Sequence, residues 1–103
     1  GVGGVLVVII GRATADGVWT RLNPGEAVDR NTPIAIRVTA PDTNPVALIG
    51  ANGRAIQTQT AASPGDELEF RLPAATLRSA RGNALTLHLQ SPAGTAQIVL
   101  NLR

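Results

Sequence analysis

Asp66-Glu67-Leu68-Glu69-Phe70-Arg71-Leu72 alternates charged and apolar side chains without a break. A β-strand sends successive side chains to opposite faces, so Leu68, Phe70 and Leu72 share one face and Glu67, Glu69 and Arg71 the other. The same period-two pattern recurs at Ile34, Ile36 and Val38, at Leu85, Leu87 and Leu89, and at Ala96, Ile98, Leu100 and Leu102. Each of these segments reads as a strand with one buried face. No segment of useful length has a helical period.

Turn signals separate the strands at intervals of about ten residues. Asp16-Gly17, Asn23-Pro24-Gly25-Glu26, Ser63-Pro64-Gly65, Arg81-Gly82-Asn83 and Ser91-Pro92-Ala93-Gly94 are the clearest. Pro41 and Pro45 stop the strand that starts at Ile34, because proline donates no ladder hydrogen bond. Asn52-Gly53 predicts a type I′ hairpin that pairs Val46–Gly50 with Arg54–Thr60, where Ile56 and Thr58 share a face. Pro73-Ala74-Ala75-Thr76-Leu77 suits one helical turn between two sheets, with Leu77 plugging its underside. The expectation is an all-β fold, an immunoglobulin-like antiparallel β-sandwich of about seven or eight strands.

The chain has 103 residues, of which 44% are hydrophobic and only 16% charged, which fits one domain with one core and excludes a disordered chain. Its net charge of +2 is too small to recruit a polyanion. All nine basic residues are arginines spread along the chain, and aromatic residues make up 2%. That excludes a basic stripe interleaved with stacking aromatics, so no nucleic-acid partner is expected. Arg37, Arg54 and Arg71 are placed on outer sheet faces as solubilising charge. Trp19 is read as a core or interface anchor. With no cysteine, a disulfide or thiolate site is impossible.

The run from Asn23-Pro24-Gly25-Glu26-Ala27-Val28, through Thr32-Pro33-Ile34-Ala35-Ile36 and Ala51-Asn52-Gly53, to Leu72-Pro73-Ala74-Ala75-Thr76-Leu77 resembles bacterial immunoglobulin-like domains. The likeness is to the group of CopC-like and "Big" modules of exported proteins, and it covers about three-quarters of the chain by strand and turn placement. It implies a β-sandwich and an exported setting, extracellular, at the cell surface or periplasmic. A chain that starts without methionine fits a removed export signal. Copper-binding members of the group use several ligands including histidine. With one histidine here, copper is not implied, and no cofactor or metal is expected.

Candidate chemistry is sparse. His88 is the only histidine and sits on an outward position beside Thr86. Ser63, Ser79 and Ser91 are the serines a triad would draw on, but none lies in a Gly-x-Ser-x-Gly elbow. Glu67 and Glu69 share a face, and Asp66 adjoins them, without the spacing of a calcium loop. Asp16, Asp29 and Asp42 are turn formers. Gly1-Val2-Gly3-Gly4 has no strand before it and no helix after it, so it is not a phosphate loop. An enzyme is not expected.

Residues 1–11 differ from the rest. Val5-Leu6-Val7-Val8-Ile9-Ile10 carries no polar side chain, and its β-branched residues favour a strand covered on both faces. It is too short for a membrane-spanning helix, which needs about 20 residues. Three readings arise: the first strand of its own domain, an arm donated to a neighbour, or the stump of a membrane anchor. Donation adds a strand to an exposed edge and, when the contacts do not close, builds a filament.

The chain is accordingly divided into an apolar N-terminal strand or donor arm, 1–11, and a β-sandwich, 12–103. The functional expectation is a non-catalytic assembly subunit of an extracellular filament or pilus-like polymer. Val5, Leu6, Val7, Val8, Ile9 and Ile10 carry its subunit contact, in a homo-oligomer or polymer. The alternatives are an accessory binding or spacer module of a larger exported protein, or a virion decoration or tail domain.

Overall fold

A computed structural model describes residues 6–13 and 16–103. The described residues form nine strands and one short helix. In chain order these are β1 (Val7–Ala13), β2 (Trp19–Arg21), β3 (Ala27–Val28), β4 (Ile34–Thr39), β5 (Val46–Ile49), β6 (Ala55–Gln59), β7 (Glu67–Leu72), α1 (Ala74–Arg78), β8 (Ala84–Ser91) and β9 (Gly94–Leu102). They make two sheets. One has the order β2-β1-β4-β7 and the other β3-β9-β8-β5-β6. Every pairing is antiparallel except β3 with β9, which is parallel. The all-β class is therefore that of the sequence expectation. The count is nine because β2 and β3 hold only three and two residues, too few to show a period.

The alternating segments bury the faces assigned to them. Ile34, Ile36, Val38, Leu68, Phe70 and Leu72 from one sheet meet Val46, Leu48, Leu87, Leu89, Ile98 and Leu100 from the other in a single core. Phe70 is fully buried and is the largest side chain there. Among the described residues no polar or charged side chain is buried. Stability thus rests on apolar area, at about 25 cal/mol per Å² removed from water.

The Pro73–Leu77 segment forms α1, which links β7 of one sheet to β8 of the other, with Leu77 wholly buried. The corner has an outside tie. The Arg30 guanidinium donates to the carbonyls of Leu77 (3.4 Å), Ala80 (2.9 Å) and Gly82. These carbonyls lie at and beyond the C-terminal end of the helix, where cations are favoured.

The Asn52-Gly53 hairpin forms, but with a different turn. Asn52 does not take positive φ; only Gly53 does, at +81°. Gly53 N–H donates to Gly50 O (3.0 Å) and Gly50 N–H to Arg54 O (2.8 Å), the pattern of a three-residue loop whose last residue is left-handed. Asn52 uses its side chain instead, accepting from Arg54 N–H at 3.1 Å. That loop closes on the Gly50–Arg54 pair, and a second extra residue, Ile56, shifts the β5–β6 register between Leu48 and Ile49. Ile56 and Thr58 do share a face, but it is the exposed one, with Ile56 42% accessible. Gln57 and Gln59 therefore occupy the other face, beside β7.

Candidate functional site

Val5 of the expected subunit contact lies outside the described residues. The other five fall on β1 and the residue before it, and they do not act as one surface. Leu6 is buried in the core, and Val8 and Ile10 pack against it. Val7 and Ile9 point the other way, and Val7 is 52% exposed. Along its length β1 pairs with β4 of the same chain, from Val7 opposite Thr39 to Arg12 opposite Ile34. The strand continues without a break past Gly11 into Arg12 and Ala13.

The other edge of β1 is only half covered. β2 pairs with Gly11, Arg12 and Ala13, and Leu22 N–H donates to Ile10 O at 2.9 Å. Because backbone groups alternate sides along a strand, Val8 directs its N–H and C=O to the same side as Ile10 O. No described strand meets Val8 there.

Across the sandwich, β9 repeats this arrangement at greater length. β3 pairs with Asn101 and Leu102 only. Arg103 N–H donates to Val28 O at 3.1 Å, so Asn101, Val99, Gln97 and Thr95 turn their backbone groups to the β3 side. From Gly94 to Leu100 no described strand lies beside them. Val99 is 51% exposed, and Thr95 and Gln97 are exposed too.

A cleft of about 170 Å³ runs between these two edges, lined by Val8, Ile9, Ile10, Val99 and Leu100 and floored at one end by the Asn23–Glu26 turn. That turn is fixed by Gly25 at φ +78° and by Glu26 N–H donating to Asn23 O at 3.0 Å. The Glu26 carboxylate accepts from Asn23 N–H at 3.1 Å and pairs with Arg12. Its pKa is held below the ordinary 4.5, first by that backbone hydrogen bond, against a smaller opposing effect of desolvation, and then by Arg12.

The opposite flank is shut. There β6 and β7, the outer strands of the two sheets, lie side by side. Gln57 Nε2 donates to Arg71 O at 2.6 Å and Gln59 Nε2 to Glu69 O at 2.5 Å. Two side chains of one sheet thus occupy acceptors on the edge of the other.

Trp19 is neither in the core nor in a cleft. Its ring lies over Gly11 on the outer face of the four-stranded sheet, so near that a Cβ on residue 11 would sit 2.3 Å from the ring. Its Nε1 donates to Ala35 O at 3.1 Å. Arg37 stacks on it at 4.2 Å from the ring centroid. Arg37 also faces Glu69 (3.7 Å) and Glu67 (3.8 Å), and Arg71 reaches Glu69 at 3.2 Å. The two glutamates are therefore neutralised by arginines on the sheet surface rather than paired with each other. Sequence reasoning missed this arrangement, because the signal, a glycine two positions before the end of β1, has meaning only once the strands are aligned.

His88 is exposed on β8, opposite Ile49 of β5 and Gln97 of β9. The serine hydroxyls bond locally: Ser79 Oγ donates to Thr76 O at 2.8 Å, and Ser91 Oγ donates to Gly94 O at 3.4 Å. Ser63 instead donates its N–H to Asp66 at 3.0 Å. The Asp29 and Asp42 carboxylates accept from Asn31 N–H and Asn44 N–H in tight turns. Among the described residues no group of three His, Cys, Asp or Glu side chains is placed to hold a metal ion. No described helix is long and apolar enough to cross a membrane. Comparisons with protein-family models, with curated proteins and with solved structures found no match.

Proposed function

We propose that this chain is an immunoglobulin-like module with a non-catalytic, structural role, a self-contained spacer or binding unit of an exported protein. The observation that carries the reading is the pairing of β1 with β4 over six residues of the same chain. A strand seated in its own sheet gives a body that folds alone, which is what a spacer or accessory module requires. The immunoglobulin-like assignment is supported by the strand order, with β3 parallel to the last strand and α1 at the crossing from β7 to β8. The exported setting rests on the resemblance to bacterial modules of this type.

The second reading is the filament subunit. It is favoured by the uncharged, half-open edge at Val7–Ile10, which a neighbour's strand would extend. Light scattering and electron microscopy of the full chain separate the two. The module reading expects small, discrete, folded particles. Fibres that grow with concentration would overturn it in favour of strand donation.

A further inference from the structure

The outer strands of the two sheets differ in how they are protected against pairing with another chain. β7 carries Glu67, Glu69 and Arg71 and has two of its carbonyls occupied by Gln57 and Gln59. β6 has a shifted register beside it. β2 is three residues long and ends on an arginine. Charge, bulges, shortness and cover are the usual protections of an edge strand. Among the described residues β9 has none of them along most of its length. Gly94-Thr95-Ala96-Gln97-Ile98-Val99-Leu100-Asn101-Leu102 contains no charged residue and no proline, its ladder with β8 is unbroken from Ser91–Gly94 to Ala84–Asn101, and β3 covers only its last two residues.

The free stretch has fixed limits. At one end the chain turns back through Pro92-Ala93. At the other, the Asn23–Glu26 turn stands beside Asn101, whose Nδ2 donates to Gly25 O at 3.3 Å. Gly94–Leu100 lies between, and its midpoint is Gln97. Gln97 is also one of the residues that direct their backbone groups outward. A second copy turned by a two-fold axis through Gln97 therefore meets this edge in hydrogen-bonding register. Gln97 faces Gln97, Thr95 faces Val99, and about six ladder hydrogen bonds form. A shift one way along the edge drives one copy's Pro92-Ala93 turn toward the other's Asn23–Glu26 turn, and a shift the other way sets Val99 against the turn residue Ala93.

We propose that β9 is a self-association edge, and that two copies of this chain pair antiparallel about Gln97 to join their five-stranded sheets. The edge offers no charge with which to recruit a different partner, whereas its sequence is complementary to itself. The contact is isologous, so it closes on a pair and does not propagate. The inference rests on the module reading in requiring that the chain fold as a single body.

The test uses the full chain and a charge pair. Gln97 is an exposed residue on the outer face, so Gln97→Lys and Gln97→Glu leave the core untouched. Sedimentation of the wild type gives a dimer whose fraction rises with concentration. Each variant alone places like charges opposite each other and weakens dimerisation roughly fivefold. An equimolar mixture of the two regains the dimer. Amide exchange of Thr95, Gln97 and Val99 slows as concentration rises.

A folded chain that stays monomeric at every concentration overturns the proposal and leaves the module reading standing. A dimer indifferent to both substitutions also overturns it and moves the contact to another edge, such as that of β1. Fibres or an unfolded chain would overturn the module reading itself.

Discussion

The flank between β6 and β7 and the flank between β1 and β9 face the same problem and meet it differently. The first brings together the outer strands of the two sheets, and the second brings together β1 and β9, which the short outer strands β2 and β3 cover only in part. On the first, glutamine side chains of β6 reach the backbone of β7, and charged residues line the edge. On the second, aliphatic residues line an open cleft, and both strands keep backbone groups that no described strand engages. The closed flank spends side chains on shielding. The open flank leaves its hydrogen bonds available, and the self-association proposed above belongs there.

The largest expected effect comes from removing one wall of the open flank. Deleting 1–10 takes away Leu6, Val8 and Ile10, which pack on the core, and strips β4 of most of its partner. At about 1.5–3 kcal/mol for each buried side chain, with the lost ladder added, the loss is comparable with the roughly 5–15 kcal/mol that holds a domain of this size together. Thermal unfolding followed by circular dichroism should then show no cooperative transition. A truncated chain that melts like the intact one would mean that the first strand is not an integral part of the body.

Gly11→Ala tests the point at which β1 passes from open to covered edge. The added methyl displaces the Trp19 ring and costs about 1–3 kcal/mol. The displaced ring should show a red-shifted fluorescence maximum. Unchanged emission and stability would mean that the ring does not rest on the glycine.

Removing the shield of the closed flank has a smaller effect. Gln57→Ala with Gln59→Ala frees two carbonyls and costs about 1–2 kcal/mol by chemical denaturation. Gln97→Ala, on the open flank, should stay within about 0.5 kcal/mol, because that side chain shields nothing. Equal costs on the two sides would erase the contrast.

The smallest effect is a pH dependence at the end of the cleft. The Glu26 carboxyl has a folded-state pKa below its ordinary 4.5. Its contribution is complete above that value and is lost as pH falls through the folded pKa, because the unfolded chain takes up a proton sooner. Glu26→Gln should flatten the stability curve below pH 4.5 and change little at neutral pH. An unaltered acid limb would argue against the contact with Asn23.

Much of the fold is legible in the residue pattern. The rows ending in Leu72, Leu89 and Leu102 alternate cleanly, because one face meets core and the other water, and Pro73 to Leu77 marks the crossing between sheets. The turn at Asn52 was harder to read. Asn-Gly fits both a two-residue loop and a three-residue loop that ends on glycine, and the chain takes the second. The candidate site was less legible still. The unbroken apolar run at Val5–Ile10 draws attention to β1, whereas the longer open edge lies on β9. Alternation reports which face of a strand is buried and is blind to whether its edges are paired. Edge exposure depends on strand order, and so on contacts between residues as distant as Ala27 and Asn101.

One measurement bears most directly on the account, whose centre is that β1 belongs to the sheet of its own chain. Isotope-labelled and unlabelled protein, mixed from the denatured state and refolded, allow contacts within a molecule to be separated from contacts between molecules by filtered nuclear Overhauser spectra. Val8–Val38 and Ile10–Ile36 cross-strand contacts should appear only within a molecule. Their appearance between labelled and unlabelled copies would contradict it and make the first strand a donated one.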